Sequence, residues 1–207
     1  LDLGIHKREY VENERFNIKG SHSTNIKRIL NGFVDYKEDI LNEFGLDNNL
    51  NGQDRFSFAL AANMYNYIEK LTKRDISNLA EINGYINGVA FGQLETVKTI
   101  QEELYSTDDQ IHAISSFLTN AVQDNFTYSF RKILKQKTYE VTIKTKEILQ
   151  DDLKMNHLYE KNSTYHMAGT LKHIMELAGC KIIGNTELWK NPMNGKHNLT
   201  TLRLHYH

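Results

Sequence analysis

The feature that most restricts how this 207-residue chain can fold is the near absence of proline, which occurs once, at Pro192. Proline breaks helices because it lacks an N–H donor and its ring clashes with the preceding turn. A chain with a single proline close to one end can therefore form long helices. Hydrophobic residues make up 40% of the chain and charged residues 25%, which is typical of a globular protein with a buried core. We therefore predict a mainly α-helical protein.

Apolar residues recur at helical spacing through most of the first 124 residues. The intervals between these stretches are rich in Asn, Asp and Gly, which are typical of loops. This part of the chain therefore predicts a bundle of helices. They are expected at residues 24–44, at 54–71, from Thr72 or Asp75 to Tyr105, and from Thr107 to a point where the helix either continues to Leu134 or restarts near Phe126.

Three glycines recur every four residues inside the third of these helical stretches. They are Gly84, Gly88 and Gly92. Each costs about 1 kcal/mol relative to alanine in the interior of a helix, so their regular spacing calls for an explanation. The spacing indicates either a close helix–helix approach or a break in the helix.

The hydrophobic period changes near residue 139, where Tyr139, Val141 and Ile143 alternate with polar residues. Alternation of aromatic and β-branched residues with polar ones predicts a strand. Helical spacing then occurs twice more, followed by extended segments around a turn. The predicted elements are helices at 146–159 and 162–179, an extended segment at 180–189, a turn at 191–195 and a strand at 199–206.

Charge is divided unevenly along the chain. Residues 1–124 carry 12 Lys and Arg against 19 Asp and Glu, a balance of −7, whereas residues 125–207 carry 13 against 7, a balance of +6. A basic segment joined to an acidic one indicates a polyanionic partner for the basic segment. We therefore predict an acidic helical domain at 1–124, which dimerises or binds a partner, and a basic domain at 125–207.

The predicted element order from residue 126 is helix, strand, helix, helix, strand, turn, strand. This order resembles the winged-helix variant of the helix-turn-helix family, on the segments KTKEILQDDLKM, STYHMAGTLKHIMELAGCKII and WKNPMNGKHN. The resemblance implies that helix 163–178 docks in a DNA groove and that residues 181–206 form the wing. The predicted fold class is mainly α: an N-terminal helical bundle followed by a small α+β winged-helix-like domain with a C-terminal β-hairpin.

A winged helix reads bases with polar residues of its recognition helix and contacts phosphates with cations of its wing. The resemblance therefore implies a DNA-binding regulatory or replication-initiation protein, for instance of a phage or plasmid. Glu176 and the lack of arginine on the helix are unfavourable for this function. The nucleic-acid-binding residues implied are Tyr165, His166, Thr170, Lys172 and His173 on the helix and Lys190, Lys196, His197 and Arg203 on the wing.

Two other functions remain open on the sequence. The first is a non-enzymatic protein-interaction factor, in which the helical part or the winged helix binds or inhibits a protein partner. The second is a metal-dependent enzyme, because His205 and His207 point to the same side of a predicted strand and could bind a metal with His157 or His197.

Several absences favour a non-enzymatic protein without a cofactor. The sequence has no glycine-rich phosphate-binding loop, no nucleophile elbow and no CxxC pair. A single cysteine, Cys180, excludes an internal disulfide and favours a reducing, cytoplasmic compartment. The longest nearly apolar stretch, residues 56–64, is far shorter than the roughly 20 residues that a membrane-spanning helix needs, so no membrane partner is expected.

Overall fold

Helices and a single sheet make up the computed structural model, which describes residues 22–50, 58–122, 126–145, 161–189 and 199–207. The prediction of a mainly helical protein is confirmed. The helices are α1 (His22–Gly32), α2 (Lys37–Phe44), α3 (Phe58–Thr72), α4 (Ser77–Gly92), α5 (Glu95–Glu103), α6 (Thr107–Phe117) and α7 (Lys161–Leu177), and the strands are β1 (Phe126–Ile133), β2 (Thr138–Thr145), β3 (Ile182–Trp189) and β4 (Leu199–Tyr206).

The third predicted helical stretch is two helices. Helix α4 ends at Gly92, and α5 starts at Glu95 after Leu94, which has an extended backbone conformation. Helix α4 is the most apolar of these elements and contains one charged residue, Glu81. A helix of this composition needs packing on more than one side, and α4 packs against α1 and α7.

The four strands form one antiparallel sheet in the order β1-β2-β4-β3. The prediction of a helix continuing towards Leu134 is wrong, because Phe126–Ile133 is strand β1. In this segment the half-buried Tyr128 and Phe130 alternate with the exposed Thr127 and Ser129. That two-residue period suits one buried face of a sheet, and the aromatic residues favour the strand.

The winged-helix prediction is also wrong. After residue 126 the described elements run strand, strand, helix, strand, strand, and a four-stranded sheet replaces the small winged sheet. Helix α7 and strands β2, β3 and β4 lie where the sequence predicted a helix and extended segments. The predicted helix at 146–159 and the turn at 191–195 fall outside the described residues.

Two hydrophobic cores lie on either side of the packed helices α4 and α7. The first is formed by α1, α2 and α3 and includes Ile29, Ile40 and Met64. The second is formed by α6, α7 and the inner face of the sheet and includes Leu171 and Leu202. Contacts between α4 and α7 join the two predicted domains, and the proposed division at residue 124 stays a prediction. In the described part of the chain, no helix has the length and apolarity needed to cross a membrane.

Candidate functional site

Helices α4 and α7 are in direct backbone contact, which we call the α4–α7 seam. A Cβ atom added to Gly84 would lie 1.8 Å from the carbonyl oxygen of His166, and one added to Gly169 would lie 1.9 Å from the carbonyl oxygen of Glu81. At Gly88 an added Cβ would lie 2.8 Å from the Cβ of His173. Real Cβ atoms do not approach other atoms this closely, so only glycine fits on both sides. The four-residue glycine spacing therefore serves close helix approach, and it also ends α4 at Gly92.

A connected set of polar side chains crosses the seam, and we call it the polar chain. Arg28 of α1 donates from Nη1 to Oδ1 of Asn87 at 2.9 Å. The Nδ2 atom of Asn87 lies 3.0 Å from Nε2 of His166, whose Nδ1 lies 3.1 Å from the hydroxyl of Tyr65. Asn83 donates from Nδ2 to the same Tyr65 hydroxyl at 3.2 Å. The polar chain therefore joins α1, α4, α7 and α3.

The hydrogen-bond donors of the polar chain indicate which nitrogen of His166 carries the proton. The guanidinium group of Arg28 can only donate, so Oδ1 of Asn87 faces it and Nδ2 faces the imidazole. Nε2 of His166 then accepts, and the ring proton lies on Nδ1, which donates to Tyr65. A second ring proton would set an N–H group against the amide N–H groups of Asn87. The contacts therefore favour a neutral imidazole in one tautomer.

Burial shifts the pKa values of Tyr65 and Arg28, which belong to the polar chain. Tyr65 is 1% exposed, and burial raises the pKa of its hydroxyl far above the usual range, although the hydrogen bond from Asn83 opposes this. Loss of water around Arg28 lowers the pKa of its guanidinium group. Arg28 remains charged at any physiological pH because arginine titrates so high. The polar chain thus carries the positive charge of Arg28 at its α1 end.

A second polar cluster lies on the sheet side of the seam. Lys172 of α7 forms an ion pair with Glu81 of α4, and the hydroxyl of Thr186 donates to the same Oε1 atom at 2.9 Å. Both charged side chains are largely buried, with 15% and 17% exposed. This cluster adds an electrostatic link between α4, α7 and β3 to the backbone contact of the glycines.

The outer face of the sheet carries a row of alternating charges. Arg131 on β1 and Arg203 on β4 both pair with Glu140, which lies between them on β2. The hydrogen bond from Arg131, followed by that from Arg203, holds the pKa of the Glu140 carboxyl below its usual range. Beside this row lies a depression of about 490 Å³ lined largely by charged and hydroxyl side chains. Both arginines share the single carboxylate of Glu140, so the row is a cross-strand ion-pair network with one excess positive charge.

The described members of the predicted DNA-facing set make contacts within the protein. The polar side of helix α7 faces α4, where Thr170 donates to the carbonyl oxygen of Gly84 at 2.9 Å and the His173 ring packs edge-on against Tyr85 at 4.9 Å. Tyr165 packs against the first core. The predicted groove-facing residues His166, Thr170, Lys172 and His173 are thus engaged within the protein, Arg203 pairs with Glu140, and Lys190, Lys196 and His197 lie outside the described residues.

The alternative metal site finds no support among the described residues. In these ranges no group of three His, Cys, Asp or Glu side chains is arranged to hold a metal ion. His205 instead contacts the hydroxyl of Thr138 through Nδ1 at 2.9 Å. His157 and His197 lie outside the described residues.

Sequence reasoning did not find the polar chain. Arg28, Tyr65, Asn83 and Asn87 were not among the predicted functional residues. A signal was present in the tandem repeat ING at residues 82–84 and 86–88. It places two amides one turn apart, each next to a glycine of the seam, in a helix with a single charge.

Comparison with known proteins identifies the fold. No protein-family model matches the chain, and no curated protein matches it in sequence. Solved structures of H-NOX domains match it over nearly their whole length. An H-NOX mutant from T. tengcongensis is 9% identical, with a TM-score of 0.56 over 90% of this chain and 97% of that chain. An Fe(II) unliganded H-NOX protein from K. algicida is 6% identical, with a TM-score of 0.55 over 89% and 96%. One from S. oneidensis in the Fe(II)NO ligation state is 7% identical, with a TM-score of 0.52 over 88% and 98%.

The chain therefore shares the fold of H-NOX domains. This finding overturns the winged-helix resemblance and, with it, the predictions of a DNA-binding regulatory or replication-initiation protein and of DNA as the partner. The prediction that the protein is not an enzyme stays a prediction.

Proposed function

We propose that the protein is a non-enzymatic sensor domain, which binds a small molecule and responds through a change at the α4–α7 seam. The observation that carries this proposal is the polar chain from Arg28 to Tyr65, which crosses the seam between the two cores. The shared fold with H-NOX domains, one of which is described in an Fe(II)NO ligation state, supports it.

The polar chain has the properties expected of a network that couples a change in α1 to a change in α7. Buried hydrogen-bond networks are costly when any member loses its partner, because the remaining groups stay away from water. A change at Arg28 therefore passes to Asn87 and then to His166 in discrete steps. His166 also touches Gly84 through its carbonyl oxygen, so the same residue belongs to the network and to the seam.

Heme is the group that the matching H-NOX structures suggest, and the described residues do not fit it. A heme iron needs an axial ligand such as a histidine nitrogen with an open path to it. Both ring nitrogens of His166 have hydrogen-bond neighbours, and the His173 ring lies against Gly88 and Gly92. The remaining described imidazoles are the exposed His112 beside Phe130, His205 against Thr138, and the exposed His207, while His22 is described only by its backbone.

Neither the described cysteine nor the depression on the sheet fits heme. Cys180 is 6% exposed, and burial raises the pKa of its thiol, which disfavours the thiolate that iron would need. The depression on the sheet is lined largely by charges and hydroxyls, whereas heme favours apolar walls. The described histidines and cysteine are therefore not placed to bind heme, and we propose that the sensor takes a different small molecule at the described residues.

Amide hydrogen exchange tests the coupling. Arg28→Gln removes the charge and the donor at the α1 end of the polar chain, and we expect faster exchange in α7 around His166 as well as in α1. Arg74→Gln, at an exposed position between α3 and α4, makes the same change in charge and should leave α7 unchanged. Changes confined to α1 in Arg28→Gln would refute the proposed coupling.

A further inference from the structure

Helix α1 carries Arg28, whose guanidinium group is bonded through one nitrogen only by the described residues. Three residues earlier lies Asn25, whose buried Oδ1 atom has no hydrogen-bond partner within the described structure. We infer that Arg28 and Asn25 bind a small organic acid that has a second hydrogen-bond donor, such as a hydroxy acid. This inference rests on the proposed sensor function, for which it supplies the chemical class of the ligand.

Arg28 supplies the positive charge of this site. Only its Nη1 atom is engaged by the described residues, with Asn87 Oδ1 at 2.9 Å and the carbonyl oxygen of Asn83 at 3.5 Å. Among these residues no carboxylate pairs with it. A partly buried charge without a counter-ion is unfavourable, and the guanidinium fork matches a carboxylate with two parallel hydrogen bonds. The free donors of Arg28 are therefore suited to a carboxylate from outside the chain.

Asn25 supplies an acceptor. Its side chain is 5% exposed, and its Oδ1 atom has no hydrogen-bond partner within the described structure. A buried acceptor left unpaired is unfavourable, and a ligand N–H or O–H group would relieve that cost. Asn25 precedes Arg28 by three residues, so both lie on the same side of α1. The two residues thus offer a cationic donor and a neutral acceptor about one helical turn apart.

This pair defines the ligand by two features. One end must carry a negative charge with two acceptor oxygens, for Arg28. The other end must carry a hydrogen-bond donor within a few atoms, for Asn25. An α-hydroxy acid has both, whereas a simple carboxylic acid lacks the donor and a hydroxy amide lacks the charge.

Three probes of nearly equal size separate these features. Lactate has the charge and the hydroxyl, propionate has the charge alone, and lactamide has the hydroxyl without the charge. Titrations of the full chain, followed by thermal unfolding and by amide NMR shifts, should show saturable binding of lactate, weaker binding of propionate and none of lactamide. Equal binding of all three probes, or of none, would overturn the inference.

Variants test whether Arg28 binds the carboxylate of the ligand and Asn25 its hydroxyl group. Arg28→Gln should weaken lactate binding by about tenfold or more, since it removes charge-assisted hydrogen bonds to the carboxylate. Arg28→Lys keeps the charge without the fork and should lose part of that affinity. Asn25→Leu should reduce lactate binding to the level of propionate. The control Arg74→Gln should bind as the wild type does, and a similar loss in it would contradict a site at Arg28.

The exchange experiment separates this inference from the proposed function. If Arg28→Gln changes exchange in α7 and no probe binds, the ligand class is wrong and the coupling stands. If α7 does not respond to Arg28→Gln, the proposed function is wrong whatever the probes show.

Discussion

The carbonyl oxygen of His166 lies 1.8 Å from the position that a Cβ atom would take at Gly84. The two helices that divide the cores therefore touch through their backbones at the residue whose side chain is the centre of the polar chain. Because the packing on each side leaves no slack, α7 cannot shift along α4 without changing the hydrogen bonds of His166.

Gly84→Ala should separate the two helices at the seam. The added methyl group would overlap the backbone of α7, which cannot move aside as a flexible side chain could. We expect the free energy of unfolding to fall by about 1–3 kcal/mol or more, measured by urea denaturation.

Gly32→Ala is the matched control. An added Cβ there would lie 3.9 Å from the nearest atom, Cδ2 of Leu79, which is an ordinary contact distance. The variant should be as stable as the wild type or slightly more stable, because alanine favours helix. Equal losses in both variants would contradict the close seam.

Glu81→Ala should destabilise the protein by about 1–3 kcal/mol. Lys172 would keep its charge, largely buried, with only the carbonyl oxygen of Gly184 at 3.4 Å as a described partner. By comparison, Arg131→Ala removes a side chain that is 74% exposed from its pair with Glu140 and should cost less than about 1 kcal/mol. A larger loss in Arg131→Ala than in Glu81→Ala would show that the seam does not depend on this ion pair.

Tyr139→Phe should make the stability of the protein depend less on pH between pH 7 and pH 3. The Tyr139 hydroxyl donates to Asp108 and is the main reason that the pKa of this carboxyl is lowered, with Lys132 adding to it. A lowered pKa in the folded state stabilises the protein above the unfolded value of about 3.9, and this contribution disappears as the pH falls through the folded value. The free energy of unfolding of the variant should therefore be about 0.5–1.5 kcal/mol below that of the wild type at pH 7, and the difference should be much smaller at pH 3. An equal loss at the two pH values would contradict the assignment.

His173 should make the protein less stable in mild acid. Burial lowers the pKa of its imidazole, against the opposing effect of Glu176, whose carboxylate lies 3.7 Å away. The unfolded chain then binds the proton more readily, so stability falls as the pH drops below about 6.5. Substitution of glutamine at this position (H173Q) should flatten the stability curve between pH 7 and the folded pKa, measured by denaturation. The variant H112Q, which removes an exposed imidazole, is the control, and an equal flattening in it would contradict the role of His173.

Local patterns predicted much of the secondary structure. Two-residue alternation at Tyr139, Val141 and Ile143 predicted β2, and helical spacing predicted α7 with its end near Gly179. The segment Phe126–Ile133 was predicted less well, because its aromatic residues also fit the end of the preceding helical pattern. The segment forms a strand because it pairs with β2, and this contact between different parts of the chain is not visible in the local pattern.

The three-dimensional arrangement was not available from these patterns. The pairing of β2 with β4 joins residues about 60 positions apart, so patterns along the sequence could not show that these strands belong to one four-stranded sheet. The polar side of α7 appeared suited to a DNA groove, since Thr170 and Lys172 are as suitable for a phosphate as for another helix. Only the contact with α4 shows that Thr170 bonds to Gly84 and Lys172 to Glu81.

The central claim, that the described histidines of this fold do not hold heme, is tested most directly by adding hemin to the purified full chain and recording the absorbance spectrum. We predict that any Soret band is the same in the wild type, His166→Ala and His173→Ala, because both ring nitrogens of His166 have hydrogen-bond neighbours and the His173 ring packs against Tyr85. A stoichiometric Soret band that is lost in His166→Ala or His173→Ala would contradict the account, and it would identify the residue that binds the iron.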